Sequence, residues 1–236
     1  HDTTIPVTLD DVVYHCRAVS RGLQRAHLIG DMPFMTYKSS SDRALEAAAR
    51  LIQDGRCHSV KLEGGVDVAD TIDRLVTAGI PVVGHVGLTP QSVHALGGFK
   101  VQGKSGIDRV RILEDARAVA DAGAFCLVLE GMPLELAREI TAEVPIPTVG
   151  IGAGPHCDGQ VLVIYDLLGM NEEFAPRFLK RYAELGRAVR ESVAAYADEV
   201  RAGDFPGPEH SFSVEGDGER GGAPVYGAPG PRPTRH

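Results

Sequence analysis

The chain has 236 residues, of which 43% are apolar, and a formal net charge of −8. This length and composition suffice for the core of one good-sized domain or two small ones. Acidic and basic residues are interspersed, which argues against a surface for nucleic acid or an anionic membrane. A small molecule is therefore the expected partner.

No apolar run approaches the roughly 18 to 20 residues that span a bilayer, and no segment has the form of a signal peptide. We therefore expect a cytoplasmic protein. Three of the four scattered cysteines lie in apolar stretches, which favours reduced thiols over a disulfide or zinc framework. Cys157 lies in a polar loop beside His156, but two adjacent residues rarely bind the same ion.

The elements can be predicted in chain order. Thr8 is expected to cap a first helix whose first turn contains Asp10 and Asp11. After it, short β-branched runs alternate with amphipathic stretches. The predicted strands are 26–31, 58–63, 80–87, 124–130, 146–154 and 160–166. The predicted helices are 40–55, 66–79, 107–123 and 133–144. This alternation predicts parallel strands joined by helical crossovers, an α/β protein.

Two α/β architectures fit this alternation, a doubly wound sheet and a TIM barrel. The Gly-x-Gly-x-x-Gly turn of a dinucleotide-binding sheet is missing, and the glycine cluster at 150–154 belongs to the fifth predicted strand. Polar residues instead occur at the ends of several strands, as catalytic groups do in a TIM barrel. We therefore predict a (βα)8 TIM barrel, although six strands do not close one.

Five polar residues at strand ends are candidates for chemistry: Asp31, Lys61, Glu63, His85 and Glu130. Asp31 could be a simple turn residue, Lys61 and Glu63 could be an ion pair, and His85 could be a core histidine. Glu130 adjoins an apolar strand, where loss of water raises a carboxyl pKa and suits it to proton transfer.

Taken together, three carboxylates, a lysine and a histidine at one end of a parallel sheet would share a pocket and need a further cation. Oxygen ligands without cysteine favour Mg²⁺. Such a set suits enolate chemistry, in which the cation and lysine bind a 2-oxo acid and a carboxylate removes the neighbouring proton. The enolate then attacks an electrophile.

Seven segments of the chain, in this order, resemble the ketopantoate hydroxymethyltransferase family, also named 3-methyl-2-oxobutanoate hydroxymethyltransferase. They are "DTTIPVTLDD", "GDMPFMTY", "VKLEGG", "GHVGLTPQSVHALGGFKVQG", "LVLEGMPLELA", "IPTVGIGAGPHCDGQVLV" and "FPGPEHSF". The resemblance extends from residue 1 to about residue 213. It implies a (βα)8 barrel of the phosphoenolpyruvate/pyruvate superfamily type, apparently lacking its first two strands in this chain.

The resemblance also implies an activity and a site. Family members transfer a hydroxymethyl group from 5,10-methylenetetrahydrofolate to 3-methyl-2-oxobutanoate through a magnesium-stabilised enolate, giving 2-dehydropantoate for pantothenate synthesis. By this resemblance Asp31 is a magnesium ligand that also contacts the oxo acid, and Lys61 binds substrate. Glu63 belongs to the magnesium site, Glu130 accepts the proton, and His85 lies near the substrate. The family forms homo-oligomers, often decamers.

The sequence departs from the family pattern at its N-terminus. Family members have two further strands there, and the second ends in Gly-Asp-Ser, whose Asp binds magnesium and whose Ser binds substrate. No such motif precedes His1. A barrel without two strands has open edges, so we expect this chain by itself to be unstable and inactive, with the activity belonging to a longer parent. Residues 214–236, rich in Gly and Pro, are expected to be a disordered tail after a barrel domain at 1–213.

Two other functions stay open at this point. A different magnesium-dependent lyase or isomerase of the same superfamily would form a similar enolate but would not depend on a folate donor. A degenerate, non-catalytic barrel could instead serve only as an assembly partner in a homo-oligomer. Absence of the Asp-Ser pair from the natural gene would favour the second.

Overall fold

A computed structural model describes residues 3–173 and 175–212. The chain forms two compact units. Among the described residues, the first contains 3–164 and 175–180, and the second contains 165–173 and 181–212. The tail predicted at 214–236 lies outside the described residues.

The first unit is built on one parallel sheet of six strands, which confirms the prediction of parallel strands with helical crossovers. In the sheet the strands lie side by side in chain order. Their bounds are β1 (Ile29–Asp31), β2 (Ser59–Lys61), β3 (Val82–Gly87), β4 (Cys126–Glu130), β5 (Thr148–Ile151) and β6 (Gly159–Gln160). A doubly wound sheet reverses its strand order at a switch point, and this sheet does not. The arrangement is a half-barrel.

Helices connect the strands and agree closely with the predicted ranges. They are α1 (Leu9–Gly22), α2 (Ser41–Gln53), α3 (Ala69–Thr77), α4 (Val93–Leu96), α5 (Gly106–Asp121) and α6 (Leu134–Glu143). Short 3-10 turns at Val66–Val68 and Pro90–Ser92 precede α3 and α4.

The first helix begins at the predicted cap. The Thr8 hydroxyl accepts a hydrogen bond from the Asp11 N–H at 3.2 Å, and the Asp11 carboxylate accepts one from the Thr8 N–H at 2.9 Å. This reciprocal pair satisfies two backbone donors that a helix start otherwise leaves unpaired.

The two faces of the sheet have different environments because side chains alternate along a strand. On β4, Leu127 and Leu129 are fully buried against the helices, whereas Val128 and Glu130 line a cavity on the opposite face. The helices cover the first face with fully buried side chains from four of them, namely Leu51, Ile72, Leu75, Val119 and Leu136. Each such side chain contributes about 1.5–3 kcal/mol when it is buried. The helical layer therefore fixes the sheet and leaves the other face free for a site.

Close approach of a helix to the sheet depends on one glycine. A Cβ atom on Gly84 of β3 would lie 2.2 Å from a methyl carbon of Val119 in α5. Glycine at this position allows α5 to pack directly over β3.

The sixth predicted strand, 160–166, was wrong for most of its length. Only Gly159–Gln160 form β6, and Ile164–Leu167 form a helical turn, α7. Among the described residues β6 pairs only with β5, so the apolar run after Gln160 has no second strand to hold it extended. The side chains of Val161 and Val163 are 44% and 52% exposed.

All four cysteines are unpaired. Cys16 and Cys57 are buried, and Cys126 and Cys157 are half-buried. Among residues 3–173 and 175–212, no helix is both long and apolar enough to cross a bilayer.

The second unit contains a helix that was not predicted from the sequence, α8 (Leu185–Ala202), which ends at Gly203 in the left-handed conformation. None of its side chains is buried. Arg190 of this helix forms an ion pair with Glu172 of the same unit.

Candidate active site

The fold brings all five candidate residues into one cavity of about 380 Å³ at the carboxyl ends of the strands. Pairing in the sheet produces this convergence. Asp31 at the end of β1 is in register with Lys61 at the end of β2. Glu130 at the end of β4 is in register with Gly87 of β3.

Lys61 is the only candidate with a fixed positive charge. Its Nζ atom lies 2.8 Å from Oδ1 of Asp31 and 4.0 Å from Oε1 of Glu63. Its side chain is 18% exposed, that of Asp31 52% and that of Glu63 3%. One ammonium therefore lies between two carboxylates, one of them open to solvent and one buried.

Glu63 lies just past the end of β2 and its carboxylate is oriented by a neighbouring loop. Its Oε2 atom accepts a hydrogen bond from the Gln91 N–H at 3.0 Å. The other oxygen, Oε1, lies 3.9 Å from Nδ1 of His85. Burial raises the pKa of Glu63, and the nearby His85 and Lys61 oppose that rise.

His85 is buried, with its two ring nitrogens in different surroundings. Nδ1 lies 3.4 Å from Nζ of Lys61, and because an ammonium can only donate, Nδ1 accepts and the ring proton is on Nε2. Burial, together with the charge of Lys61, lowers the pKa of His85 to about 4. The ring is therefore a neutral hydrogen-bond donor at neutral pH.

The donor atom of His85 is available to a ligand. Nε2 lies 3.2 Å from Oε2 of Glu130, but it makes no well-aligned hydrogen bond to any described residue. A buried donor without a partner is costly, and a polar ligand in the cavity would satisfy it.

Glu130 is the candidate most suited to proton transfer. Its side chain is 20% exposed, and burial raises its pKa to about 7, with Lys61 lowering and Asp31 raising that value. A carboxyl group with a pKa near 7 exchanges protons readily at neutral pH.

The two glycines after Glu63 are required by the local geometry. Gly64 has φ +137°, and a Cβ atom on Gly65 would lie 1.9 Å from Oδ1 of Asp115. That same oxygen accepts a hydrogen bond from the Val66 N–H at 3.0 Å. Asp115 thus holds the loop directly behind the Glu63 carboxylate.

Apolar side chains form much of the remaining cavity wall. They come from the same face of β3, β4 and β5 as the polar candidates, and they are Val83, Val128, Val149 and Ile151. A ligand with a carboxylate at one end and a branched aliphatic group at the other matches this division.

Two residues in contact with the site, Tyr37 and Gln91, were not predicted from the sequence. Tyr37 is fully buried, and its hydroxyl lies 2.8 Å from Oε1 of Gln91 and 3.2 Å from both the N and O atoms of Glu63. Both residues occur in segments quoted for the family resemblance. Their residue types alone do not indicate a role, because their contacts form only in the folded chain.

The carboxylate oxygens among the five candidate residues are ligands of the kind that magnesium binds. In the part of the chain that the structure describes, no group of three or more His, Cys, Asp or Glu residues is arranged to hold a metal. Mg²⁺ commonly takes only one or two protein carboxylates and completes its shell with water and substrate oxygens. Asp31 and Glu63, which flank a single cation, supply two such carboxylates.

Comparison with known proteins gives the family. The family model described as ketopantoate hydroxymethyltransferase matches residues 1–208. This chain belongs to the ketopantoate hydroxymethyltransferase family. The 3-methyl-2-oxobutanoate hydroxymethyltransferase of Oleidesulfovibrio alaskensis is 55% identical over 221 residues, which cover 93% of this chain and 76% of the relative. That of Geobacter sulfurreducens is 54% identical over 213 residues, covering 90% and 80%.

Solved structures support the fold of this hydroxymethyltransferase family member. A phosphonopyruvate hydrolase crystallised with oxalate and Mg²⁺ matches with a TM-score of 0.51 at 14% identity, over 90% of this chain and 74% of that one. A 2,3-dimethylmalate lyase, a member of the PEP mutase/isocitrate lyase superfamily, matches with a TM-score of 0.50 at 18% identity, over 94% and 80%. At these identities the comparison concerns the fold alone.

Proposed function

We propose that the protein transfers a hydroxymethyl group from 5,10-methylenetetrahydrofolate to 3-methyl-2-oxobutanoate, giving 2-dehydropantoate for pantothenate synthesis. Family membership supports the reaction. The observation that carries the mechanism is the position of Glu130, a carboxyl group with a pKa near 7 in the same cavity as Lys61 and a neutral His85.

We also propose that the six strands belong to an eight-stranded barrel of the phosphoenolpyruvate/pyruvate superfamily type. Strand order along the chain and helices on one face of the sheet support this assignment. Assembly into a homo-oligomer and a cytoplasmic location stay predictions from the sequence.

In the first step, Glu130 accepts the proton from C3 of the oxo acid. The C3–H bond breaks, its electron pair forms the enolate, and the proton moves to Glu130. Partial burial makes the Glu130 carboxylate basic enough to accept this proton, because it raises the pKa to about 7 from the value near 4.3 of an exposed glutamate.

Lys61 and His85 bind and orient the oxo acid. The Lys61 ammonium attracts its carboxylate and carbonyl oxygens, and the unpaired Nε2–H of His85 donates to one of those oxygens. The branched end of the substrate packs against the apolar wall that includes Val128 and Ile151.

The charge balance of the cavity supports a divalent cation. Asp31, Glu63 and ionised Glu130 face a single ammonium, that of Lys61, because His85 is neutral. Asp31 and Glu63 would hold Mg²⁺. When bound, Mg²⁺ stabilises the negative charge that develops on the carbonyl oxygen of the substrate.

In the second step, C3 of the enolate forms a bond to the one-carbon unit of the folate. The two bonds that join this carbon to N5 and N10 of the folate break, a water oxygen bonds to the carbon as the hydroxyl group, and tetrahydrofolate leaves. One folate nitrogen takes the proton held by Glu130 and the other takes the proton released by the water, which completes the balance.

A turnover assay tests the proposal. This chain, and one extended by the two N-terminal strands of the family pattern, are each incubated with 3-methyl-2-oxobutanoate, 5,10-methylenetetrahydrofolate and Mg²⁺, and 2-dehydropantoate is measured by mass spectrometry. We expect product in at least the extended protein, only when both substrates are present, and a loss of 10²-fold or more in Glu130→Gln. Cleavage or isomerisation of the oxo acid without folate would instead indicate a related lyase or isomerase.

A further inference from the structure

A buried hydrogen-bond network lies directly behind the two carboxylates at the ends of β1 and β2. It contains Tyr37, which is fully buried, and Gln91, which is 6% exposed. Both side chains are removed from solvent, so contact with water does not explain why these positions are polar. Buried polar groups of this kind persist when their hydrogen bonds are all satisfied.

Gln91 connects three chain segments. Its side-chain Nε2 donates to the Met32 carbonyl at 2.8 Å, and its Oε1 accepts from the Tyr37 hydroxyl at 2.8 Å. Since the Met32 carbonyl can only accept, Nε2 of Gln91 must be the atom that faces Met32, and Oε1 must be the atom that faces Tyr37. Its backbone N–H donates to Oε2 of Glu63 at 3.0 Å.

Tyr37 secures the other side of Glu63. Its hydroxyl accepts a hydrogen bond from the Glu63 N–H at 3.2 Å and also lies 3.2 Å from the Glu63 carbonyl oxygen. The same hydroxyl donates to Oε1 of Gln91 at 2.8 Å. The backbone of Glu63 and its carboxylate are thus both held by this network.

The network also reaches Asp31. Met32 follows Asp31 directly, and its N–H donates to the Lys61 carbonyl at 2.9 Å while its own carbonyl accepts from Gln91. The segments that carry the two candidate magnesium ligands are therefore joined through Gln91, whose side chain bonds Met32 and Tyr37 and whose backbone N–H bonds the Glu63 carboxylate. With Oε2 of Glu63 bound to the loop, Oε1 is the oxygen left facing Lys61 and His85.

We propose that Tyr37 and Gln91 are positioning residues, which fix the relative placement of Asp31 and Glu63 and so determine how tightly the site holds a divalent cation. This inference rests on the proposed function, because it requires Asp31 and Glu63 to bind the cation. Tyr37 does not line the cavity, whereas Gln91 borders it with its side-chain amide bonded to Met32 and Tyr37. Partners that orient metal ligands typically change metal affinity by about 10- to 100-fold when they are removed.

Direct binding of Mn²⁺, measured by the electron paramagnetic resonance signal of the free ion, tests the proposal without any turnover. The variants are Tyr37→Phe, which removes one oxygen atom, and Gln91→Met, which keeps the length but loses both side-chain hydrogen bonds. We expect the Mn²⁺ dissociation constant to rise about 10-fold or more in each. Tyr14→Phe and Gln24→Met, at exposed positions, are the matched controls and should change it less than about twofold.

A purely structural role must be distinguished from positioning. Ile140→Val removes one methyl group from the core under α6 and lowers stability without touching the network. It should leave Mn²⁺ affinity unchanged at temperatures where it is folded. Near-ultraviolet circular dichroism confirms that each variant is folded when binding is measured.

The outcomes separate the two proposals. If Tyr37→Phe and Gln91→Met bind Mn²⁺ as tightly as the wild-type protein does, this inference is overturned and the proposed function stays intact. A parallel loss of affinity in Ile140→Val would also overturn it. Wild-type protein that binds no Mn²⁺ at all would contradict the proposed metal site, and this inference with it.

Discussion

Oε2 of Glu130 lies 3.2 Å from Nε2 of His85, and burial shifts the pKa values of these two groups in opposite directions. It raises the pKa of Glu130 to about 7 and lowers that of His85 to about 4. Between these values His85 is neutral and Glu130 alone takes up or releases a proton. Neighbouring groups whose pKa values are separated in this way can serve as a base and a neutral donor.

The pH dependence of enolisation follows from Glu130. Only the ionised carboxylate accepts a proton, so kcat/KM for exchange at C3 should rise about tenfold per pH unit below about pH 7 and level off above it. Initial rates between about pH 5 and 9 at constant Mg²⁺ measure this profile. A midpoint near 4.5, the range of an exposed glutamate, would show that Glu130 is not the limiting base.

Ionised Glu130 should also make the fold less stable. Its folded-state pKa of about 7 exceeds the unfolded value near 4.3, so its stabilising contribution is complete below about pH 4.3 and is lost as pH rises through 7. Glu130→Gln should therefore have a higher free energy of unfolding than wild type at pH 8, by up to about 3 kcal/mol, with a smaller difference at pH 5. Urea denaturation measures it. Glu46→Gln, at an exposed position of α2, is the control. An equal increase in its free energy of unfolding would contradict burial of Glu130 as the cause.

Lys61 should be needed for stability as well as for binding. Lys61→Met removes the only fixed cation between Asp31 and the buried Glu63, which should cost about 2–4 kcal/mol at neutral pH. Added Mg²⁺ should raise the melting temperature of this variant more than that of wild type, because the ion replaces the lost charge. Thermal melts with and without Mg²⁺ check this, with exposed Lys104→Met as the control. Identical Mg²⁺ responses in all three proteins would exclude a cation site beside Lys61.

The loop behind Glu63 should not tolerate a side chain at Gly65. Gly65→Ala places a methyl group 1.9 Å from Oδ1 and 2.2 Å from Cβ of Asp115, so a rotation of Asp115 alone cannot relieve the clash. We expect a loss of about 1–3 kcal/mol and weaker oxo acid binding. Gly106→Ala, where no atom lies within 4 Å of the added carbon, should leave both quantities nearly unchanged. Equal results for the two variants in denaturation and binding measurements would refute this account of the loop.

Much of the fold could be predicted from local signals. The amphipathic stretches predicted the helix ranges, and Thr8 caps α1 as expected; Ser40 caps α2 in the same way. Alternation along β4 placed Glu130 on the face opposite Leu129. The five polar residues at strand ends could be placed in one cavity because parallel strands share an end.

Other features depend on contacts that a single sequence does not reveal. The run after Gln160 has the composition of a strand, but a strand also needs a partner on which to pair, and β6 stops after two residues. Tyr37 and Gln91 acquire their roles only when the loops after β1 and β3 meet behind Glu63. Helix α8, with no buried side chain, was likewise not predicted.

Exchange of the C3 proton of 3-methyl-2-oxobutanoate in D₂O is the direct test of whether Glu130 forms the enolate. Loss of the C3 signal is followed by NMR with and without Mg²⁺, in this chain, in one extended by the two N-terminal strands of the family pattern, and in Glu130→Gln of each. Exchange that requires Mg²⁺ and disappears in Glu130→Gln is the predicted result, in at least the extended protein. Exchange that persists in Glu130→Gln, or is absent from both wild-type proteins, would contradict the assignment of Glu130 as the base that forms the enolate.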